Sequence, residues 1–230
     1  MDYASVMADL ESHGTGEVLA VLRDQGAEGE AYGVPAQHLR EIAAHCGIDQ
    51  ELAQSLWSSR NVDARLLAVQ IADPGAMAAD DLDAWAHDVT YYPLIDHLIH
   101  LVVQTPHAVE LIERWIGSGH EFVERCGFLT MAQLAKDGRE IEVRELESQL
   151  ETIEGHIRSS TVRAKHELGA ALVTIGRRND RLQELTMEVA RKIGRIRIEH
   201  PELGTIESDA VELLRNPTLA ERLIRKTHEE

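Results

Sequence analysis

Asp96 is the residue whose setting in this sequence most strongly suggests chemistry. It lies in the stretch T-Y-Y-P-L-I-D-H-L-I-H, residues 90–100, among aliphatic residues with helical spacing. A carboxylate near apolar surface is unfavourable unless it is paired or used. Pro93 predicts a helix start, which places Asp96 in the first turn or just beyond, one turn after Tyr92. A helix N-terminus stabilises a carboxylate by roughly 0.3–1 kcal/mol, so the position also has a purely structural explanation.

Arg125 is the second candidate. It follows Phe122 by three residues and precedes Leu129 by four, so the three side chains share one helical face. An arginine on an apolar face usually has a carboxylate partner, and Asp96 is one possible partner. A structural ion pair would account for both residues without any catalysis.

Other chemistry has little support in the sequence. There is no P-loop, no G-x-S-x-G elbow, no H-E-x-x-H and no paired C-x-x-C motif. His97 and His100 lie three residues apart and could share a metal ion, but no third ligand is in view. We therefore predict no metal and no cofactor. Aromatic and thiol side chains in apolar helical patterns are expected in the core, and these are Trp57, Trp85, Trp115 and Cys126.

Helix start and stop signals recur along the chain and must position these residues. Residues 34–47 predict a helix that begins at a proline and ends at a glycine. Residues 105–117 predict another, with a threonine cap, an early proline and a glycine stop. The stretch S-G-H-E, 118–121, is a capping-box pattern in which the serine accepts a backbone N–H and the glutamate reaches back. Residues 216–222 repeat the asparagine cap and proline start.

The fold class is predicted from the composition and from the helix start and stop signals. The chain has 230 residues, of which 43% are hydrophobic and only 4% aromatic, a mixture that favours helices over strands. We find no convincing alternating strand. Short amphipathic helices with short loops predict an all-α fold of antiparallel helix pairs, an α-solenoid with a concave face, in a single domain over residues 1–230. A compact helical bundle is the alternative.

Charge is distributed unevenly along the chain. The net charge is −17, which by itself argues against a phosphate-binding surface. Nearly all the positive charge lies after residue 120, and it is densest in R-R-N-D-R (177–181) and R-K-I-G-R-I-R (191–197). A solvated helical surface and a phosphate-contacting patch both fit these two segments. With no signal peptide, no membrane-length apolar run and two distant cysteines, we expect a reduced, cytoplasmic protein.

Four segments occur in an order and spacing that resemble one protein family. They are Y-Y-P-L-I-D (91–96), R-W-I-G-S-G-H-E-F-V-E-R (114–125), Y-G-V-P-A-Q-H-L-R-E-I-A (32–43) and L-W-S-S-R-N-V-D-A-R-L-L-A (56–68). They resemble the W-W-D-x-V-D, K-W-I-x-S-x-x-x-W-x-x-R, F-G-V-x-x-x-x-L-R-x-I-A and L-W-x-S-x-x-x-E-x-R-x-x-A segments of the DNA alkylation-repair enzymes with HEAT-like repeats, the AlkD-like DNA glycosylases. The resemblance runs over most of the chain.

The resemblance implies a HEAT-like α-solenoid that binds duplex DNA on a concave, basic face. It also implies excision of cationic N3- or N7-alkylated purines by hydrolysis of the N-glycosidic bond, without base flipping. Asp96 would stabilise the developing oxocarbenium ion and position water, and Tyr92 would pack on the deoxyribose and the lesion. Arg125 would hold the neighbouring phosphate and orient Asp96. The basic residues expected to contact DNA are Arg158, Arg163, Lys165, Arg177, Arg178 and Arg195.

The expected partner is therefore duplex DNA with alkylated bases, bound by a monomer without a membrane, metal or cofactor. The alternative is a non-catalytic HEAT-like scaffold that binds a protein or another ligand in its groove. The motifs favour the enzyme, whereas the acidic charge favours the scaffold.

Overall fold

The computed structural model describes residues 1–136, 143–157, 169, 171–200 and 204–216. These residues form helices joined by short loops, together with one two-stranded hairpin. The chain divides into two compact units, Met1–Ala108 and Val109–Glu230. The single domain over 1–230 stays a prediction. Within the described residues, no helix combines the length and apolarity needed to cross a membrane.

The first unit contains seven helices among its described residues. Where a side chain caps a helix N-terminus, it accepts the N–H three residues on, as Asp2, Thr15, Asp49 and Asn61 do. The helices are α1 Tyr3–His13, α2 Gly16–Asp24, α3 Ala36–Cys46, α4 Gln50–Ser58, α5 Val62–Ile71, α6 Ala79–Asp88 and α7 Tyr92–Val102.

The rest of the described chain is also mainly helical. Its elements are α8 Ala108–Trp115, α9 Glu121–Lys136, α10 Val143–His156, α11 Asp180–Ile193, strands β1 Arg195–His200 and β2 Gly204–Asp209, and α12 Ala210–Arg215. Residues 171–176 form a further helical segment before α11. Asn179 caps α11 by accepting the Leu182 N–H at 2.9 Å.

The helix predictions from sequence are largely confirmed, with one correction. The helix predicted within 34–47 is α3, and the helix predicted within 105–117 is α8, which begins only at Ala108. The capping-box prediction is confirmed for the serine, whose hydroxyl accepts the His120 N–H at 3.3 Å. Glu124 accepts the Gly119 N–H at 3.2 Å, and the predicted role of Glu121 stays a prediction. The helix predicted over 216–222 lies outside the described residues beyond position 216.

The hairpin contradicts the expectation that the chain holds no strand. Strands β1 and β2 pair antiparallel, with Arg195 opposite Asp209 and Ile198 opposite Ile206. The sequence carried the signal, because R-I-R-I over 195–198 alternates charged and aliphatic residues with the period of a strand. The same residues also carry a high density of positive charge, which is typical of an exposed helix surface as well.

Asp63, in the first turn of α5, fixes the loop that precedes α3. Its carboxylate is fully buried and accepts the backbone N–H groups of Tyr32, Gly33 and Val34 at 2.6, 3.1 and 2.8 Å. Three charge-assisted hydrogen bonds offset the free energy needed to bury a carboxylate. Asp63 therefore holds the Y-G-V segment against α5.

Gly33 is required where that loop meets α2. Its φ is +78°, and a Cβ there would lie only 2.5 Å from the Thr15 carbonyl oxygen and the Leu19 nitrogen. The Gly33 carbonyl also accepts the Thr15 N–H at 2.8 Å. Only glycine combines this backbone conformation with so close an approach.

Arg65 joins α4, α5 and α6. Its Nε donates to the Trp57 carbonyl at 3.2 Å, and its two Nη atoms donate to the Asp88 carbonyl and carboxylate at 3.1 and 3.3 Å. The guanidinium lies 4.9 Å from the centre of the Trp57 ring, which stacks on Trp85 with ring centroids 4.1 Å apart. These contacts make Arg65 a structural cation.

The predicted core positions are confirmed. Trp57, Trp85 and Trp115 are buried, and so is Cys126. Both cysteines are free thiols. The three tryptophans therefore belong to the core. Tyr92, which is half-buried, is the aromatic residue one helical turn before Asp96.

Candidate functional site

Helix α7 carries two of the predicted catalytic residues. It begins at Tyr92, with Pro93 in its first turn, as the sequence predicted. Asp96 is its fifth residue and lies beyond the first turn, where the stabilising effect of the helix N-terminus has largely faded. The helix dipole is therefore a weak explanation for this carboxylate.

Tyr92 and Asp96 lie four residues apart, on one face of α7, and both are half-buried. A ring and a carboxylate are thus presented together, each partly open to solvent. The aliphatic residues of the same helix face the core, and these are Leu94, Ile95, Leu98 and Ile99. The helix separates a packing face from a face available for chemistry.

Tyr91 has a different role from its neighbour. Its side chain is buried, and its hydroxyl donates to the Gln25 side-chain carbonyl at 2.9 Å. Burial raises the pKa of Tyr91 to about 12, and the negative charges of Asp63 and Asp96 add to the effect. Tyr91 is a packing residue, which leaves Tyr92 as the tyrosine beside Asp96 that is partly exposed.

Arg125 lies on α9 and is half-buried, with its Nε atom enclosed by protein. Phe122 is half-buried as well, and Leu129 is buried, in keeping with the mixed apolar face expected from the sequence. Arg125 belongs to the second compact unit and Asp96 to the first. Their pairing, structural or catalytic, stays a prediction.

The six predicted DNA-contacting residues are only partly described. Arg158, Arg163 and Lys165 lie outside the described residues. Arg177 and Arg178 directly follow the helical segment 171–176, where Arg177 is exposed and Arg178 is half-buried. The structure therefore places one exposed and one partly covered arginine at the end of a helix.

A cavity of about 620 Å³ brings Arg177 together with two cations that the sequence analysis did not select. Arg191, on α11, and Arg215, at the end of α12, line the same cavity. Glu184 and Glu188 line it too, so its charge is mixed. Positions on three elements far apart in sequence form this cluster, which no local motif could have indicated.

Arg195 begins β1 rather than continuing a helix. The register places Asp209 directly opposite it, and opposite charges across two strands contribute roughly 0.2–1 kcal/mol. Asp209 also caps α12 by accepting the Val211 N–H at 2.9 Å. A carboxylate across the hairpin makes Arg195 less available to a phosphate than the sequence suggested.

Two further cations of α11 are used in ion pairs with α10. Arg181 lies 2.7 Å from Glu147, and Lys192 lies 2.9 Å from Glu154. These pairs match the interpretation of a solvated helical surface for part of the basic segments. The positive charge of the second unit is thus divided between internal pairing and exposed arginines such as Arg177.

His97 and His100 line a cavity of about 480 Å³ between α3, α5 and α7, to which Arg40 also contributes. His97 is exposed at the mouth, yet surrounding protein atoms displace enough water to lower its pKa, and His100 lowers it further. Among the described residues no group of three metal-ligating side chains forms, here or elsewhere.

The helical fold is that of the HEAT-like repeat proteins related to DNA glycosylases. One solved structure, described as "a new family of proteins related to the HEAT-like repeat DNA glycosylases with affinity for branched DNA structures", has a TM-score of 0.78 and 26% identity, covering 97% of each chain. The predicted all-α, HEAT-like fold class is confirmed, apart from the one hairpin among the described residues.

Residues 6–223 match the family described as DNA alkylation repair enzyme, and the chain belongs to that family. Two curated relatives come from Listeria. The uncharacterized protein Lmo0209 of Listeria monocytogenes is 22% identical over 74% of this chain and 75% of its own length. The uncharacterized protein Lin0241 of Listeria innocua is 21% identical over 79% of this chain and 81% of its own length.

Proposed function

We propose that this protein binds DNA and prefers branched structures to plain duplex. The likeness to a protein with affinity for branched DNA, over 97% of both chains, is the observation that carries this proposal. Membership of the DNA alkylation repair family supports DNA as the ligand class.

The charge distribution supports a restricted contact with DNA. With a net charge of −17, a protein that laid most of its surface on a duplex would meet strong repulsion. The arginines at the end of segment 171–176 offer local phosphate contacts instead. A branched DNA has unusual geometry at one point, which a few well-placed cations can contact. A long uniform duplex would require positive charge along a larger surface.

The test is fluorescence anisotropy with a four-way junction and with a linear duplex of the same arm sequence. We expect the junction to bind about tenfold more tightly, with affinity falling as salt rises from about 50 to 200 mM. Equal affinity for both DNAs would contradict the preference for branches. Absence of salt-sensitive binding would contradict DNA binding altogether.

A matched pair of variants locates the contact. The double substitution Arg177→Gln and Arg178→Gln removes two cations, and we expect junction affinity to fall about tenfold. The double substitution Arg181→Gln and Lys192→Gln is the control that removes the same charge. Because Arg181 lies 2.7 Å from Glu147 and Lys192 lies 2.9 Å from Glu154, we expect it to change affinity less than twofold. Equal losses in both proteins would mean that only net charge matters.

A second candidate function is excision of cationic alkylated purines. The position of Asp96 favours it, because this half-buried carboxylate lies one turn after Tyr92 on the same face of α7. An N3- or N7-alkylated purine is already positively charged and leaves without a general acid. The sugar then develops oxocarbenium character, which one carboxylate stabilises while it positions the attacking water.

In this proposal Tyr92 packs on the deoxyribose, and Arg125 contacts a phosphate beside the lesion. The experiment is release of N7-methylguanine and N3-methyladenine from methylated duplex DNA. We expect release by the wild-type protein and a loss of about a hundredfold or more in Asp96→Asn with unchanged folding. Junction binding without any release would leave a DNA-binding protein that does not excise bases.

A further inference from the structure

His13 and His38 bring two imidazole rings together where α1 meets α3. His13 ends α1, and His38 lies in the first turn of α3. The ring centroids are 4.5 Å apart, and the ring planes are inclined by 43°. Each side chain is 40% exposed, so an ion from solvent can reach both rings.

Hydrogen bonds at Nδ1 fix the tautomer of each neutral ring. His13 Nδ1 lies 2.9 Å from the Asp9 carbonyl oxygen and 3.1 Å from its carboxylate. His38 Nδ1 lies 3.0 Å from the Glu41 carboxylate. The Ser12 hydroxyl also lies 3.2 Å from His13 Nδ1, but it donates its own hydrogen to the Asp9 carbonyl at 2.9 Å. Because the carbonyl and carboxylate oxygens only accept, we assign the hydrogen of each ring to Nδ1 and the lone pair to Nε2. Two lone-pair nitrogens on neighbouring rings call for a cation.

Both rings also have the supporting hydrogen bond that is typical of metal-binding histidines. Such histidines coordinate through one ring nitrogen while the other N–H donates to a carboxylate or a backbone carbonyl, as both rings do here. The Asp9 and Glu41 carboxylates place negative charge beside the two rings. The nearby negative charge also favours a bound cation.

The ring spacing fits one shared ion. A metal bound at about 2.0–2.1 Å from Nε2 lies about 3.2 Å from the ring centre. Two rings held about 90° apart around the ion, as in square-planar or octahedral coordination, then have centres about 4.5 Å apart, against about 5.2 Å in a tetrahedral site. We infer that His13 and His38 form a binding site for a divalent first-row transition-metal ion, which clamps α1 to α3. This inference goes beyond the proposed function and does not depend on it.

The donor set decides the class of metal. Imidazole nitrogen suits Zn²⁺, Ni²⁺ and Cu²⁺, with Cu²⁺ bound most tightly, whereas Mg²⁺ and Ca²⁺ prefer oxygen ligands. Within the described residues no third histidine, cysteine, aspartate or glutamate completes the group, so water fills the other positions. The site is therefore a two-point clamp between helices.

The first test is Cu²⁺ binding to the full chain, followed by electron paramagnetic resonance and titration calorimetry. We expect one site per chain with two nitrogens in the copper spectrum. His13→Gln and His38→Gln should each weaken binding at least about tenfold, because one imidazole remains. His87→Gln is the matched control, because the His87 Nδ1 also lies 2.9 Å from the carbonyl oxygen four residues earlier. This variant should bind Cu²⁺ as tightly as the wild-type protein.

A second measurement uses the wild-type protein, so that the test does not depend on whether the glutamine variants fold. In the wild-type protein, paramagnetic Ni²⁺ should broaden the imidazole signals of His13 and His38 before those of the other histidines. Zn²⁺ at ten times its Kd should raise Tm by about 4 °C, and Mg²⁺ should not. Broadening that begins at other histidines, or binding that both glutamine variants retain, would overturn the site and leave an ordinary ring contact.

Discussion

Helices α5 and α7 each carry polar residues from a family-like segment, but the two helices use them differently. Asp63 and Arg65 of α5 are buried, and each makes three hydrogen bonds to named partners. Tyr92 and Asp96 of α7 are half-buried and share one face. Residues of similar chemistry in these segments thus divide into those buried within the fold and those that solvent partly reaches.

The carboxylates of Asp63 and Asp96 also differ in their surroundings. Three backbone N–H groups surround Asp63, so its negative charge is already used by the loop before α3. Asp96 follows a helix turn that begins with an aromatic ring, and solvent reaches part of it. The two carboxylates therefore differ in how far solvent reaches them.

The largest expected effect comes from Asp63→Ala. Removing the carboxylate leaves the buried N–H groups of Gly33 and Val34 without their acceptor, and each such group costs about 1–3 kcal/mol. We expect the free energy of unfolding to fall by about 4 kcal/mol and Tm by about 12 °C, measured by circular dichroism. Asp24→Ala is the control, because Asp24 is exposed at the end of α2, and it should change stability by less than about 0.5 kcal/mol. Equal losses in both variants would mean that the hydrogen bonds of Asp63 do not hold the fold.

The next effect in size is expected from Arg65→Lys. Burial lowers the pKa of Arg65, and the Asp88 carboxylate opposes that shift, so this cation depends on its partners. Lysine keeps the charge but cannot reach Trp57 and both Asp88 oxygens from one planar group. We expect a loss of about 2 kcal/mol in chemical denaturation. The exposed Arg60 supplies the control, and a similar loss in Arg60→Lys would argue against a special role for Arg65.

Sequence reasoning succeeded where local chemistry determines local structure. Pro93 begins α7 and Gly47 ends α3, because fixed φ and positive φ act within a single turn. The segment 195–198 shows the opposite case, in which a clear strand alternation was present but positive charge was given more weight. The same four residues carry two signals, strand alternation and positive charge, and the alternation is the one that matches the structure.

The roles of the family-like residues could not be predicted from spacing alone. The motif at 56–68 contains Trp57, Asp63 and Arg65, but only the structure shows that they join α3, α4 and α6 to α5. The cluster of Arg177, Arg191 and Arg215 is similar, since it depends on three elements meeting at one cavity. Contacts between distant segments are set by packing, which no local pattern records.

The smallest effect is expected from Tyr91→Phe, and it tests the boundary between packing and chemistry on α7. Loss of the hydrogen bond to Gln25 should lower stability by about 1 kcal/mol at pH 8. The pKa of Tyr91 is raised to about 12 in the folded state, against about 10 in the unfolded chain. The tyrosine's stabilisation is therefore complete below pH about 10 and is lost as pH rises toward 12, because the unfolded chain ionises first.

The wild-type protein should lose its advantage over Tyr91→Phe at about pH 11, where the penalty on the buried phenol reaches about 1 kcal/mol. Urea unfolding of both proteins at pH 8 and pH 11 measures this crossing. Tyr3→Phe is the control, because Tyr3 is 41% exposed and its substitution should leave the pH dependence unchanged. A constant difference between wild type and Tyr91→Phe at both pH values would mean that Tyr91 reaches solvent. It would then join Tyr92 as a residue of α7 available to a ligand.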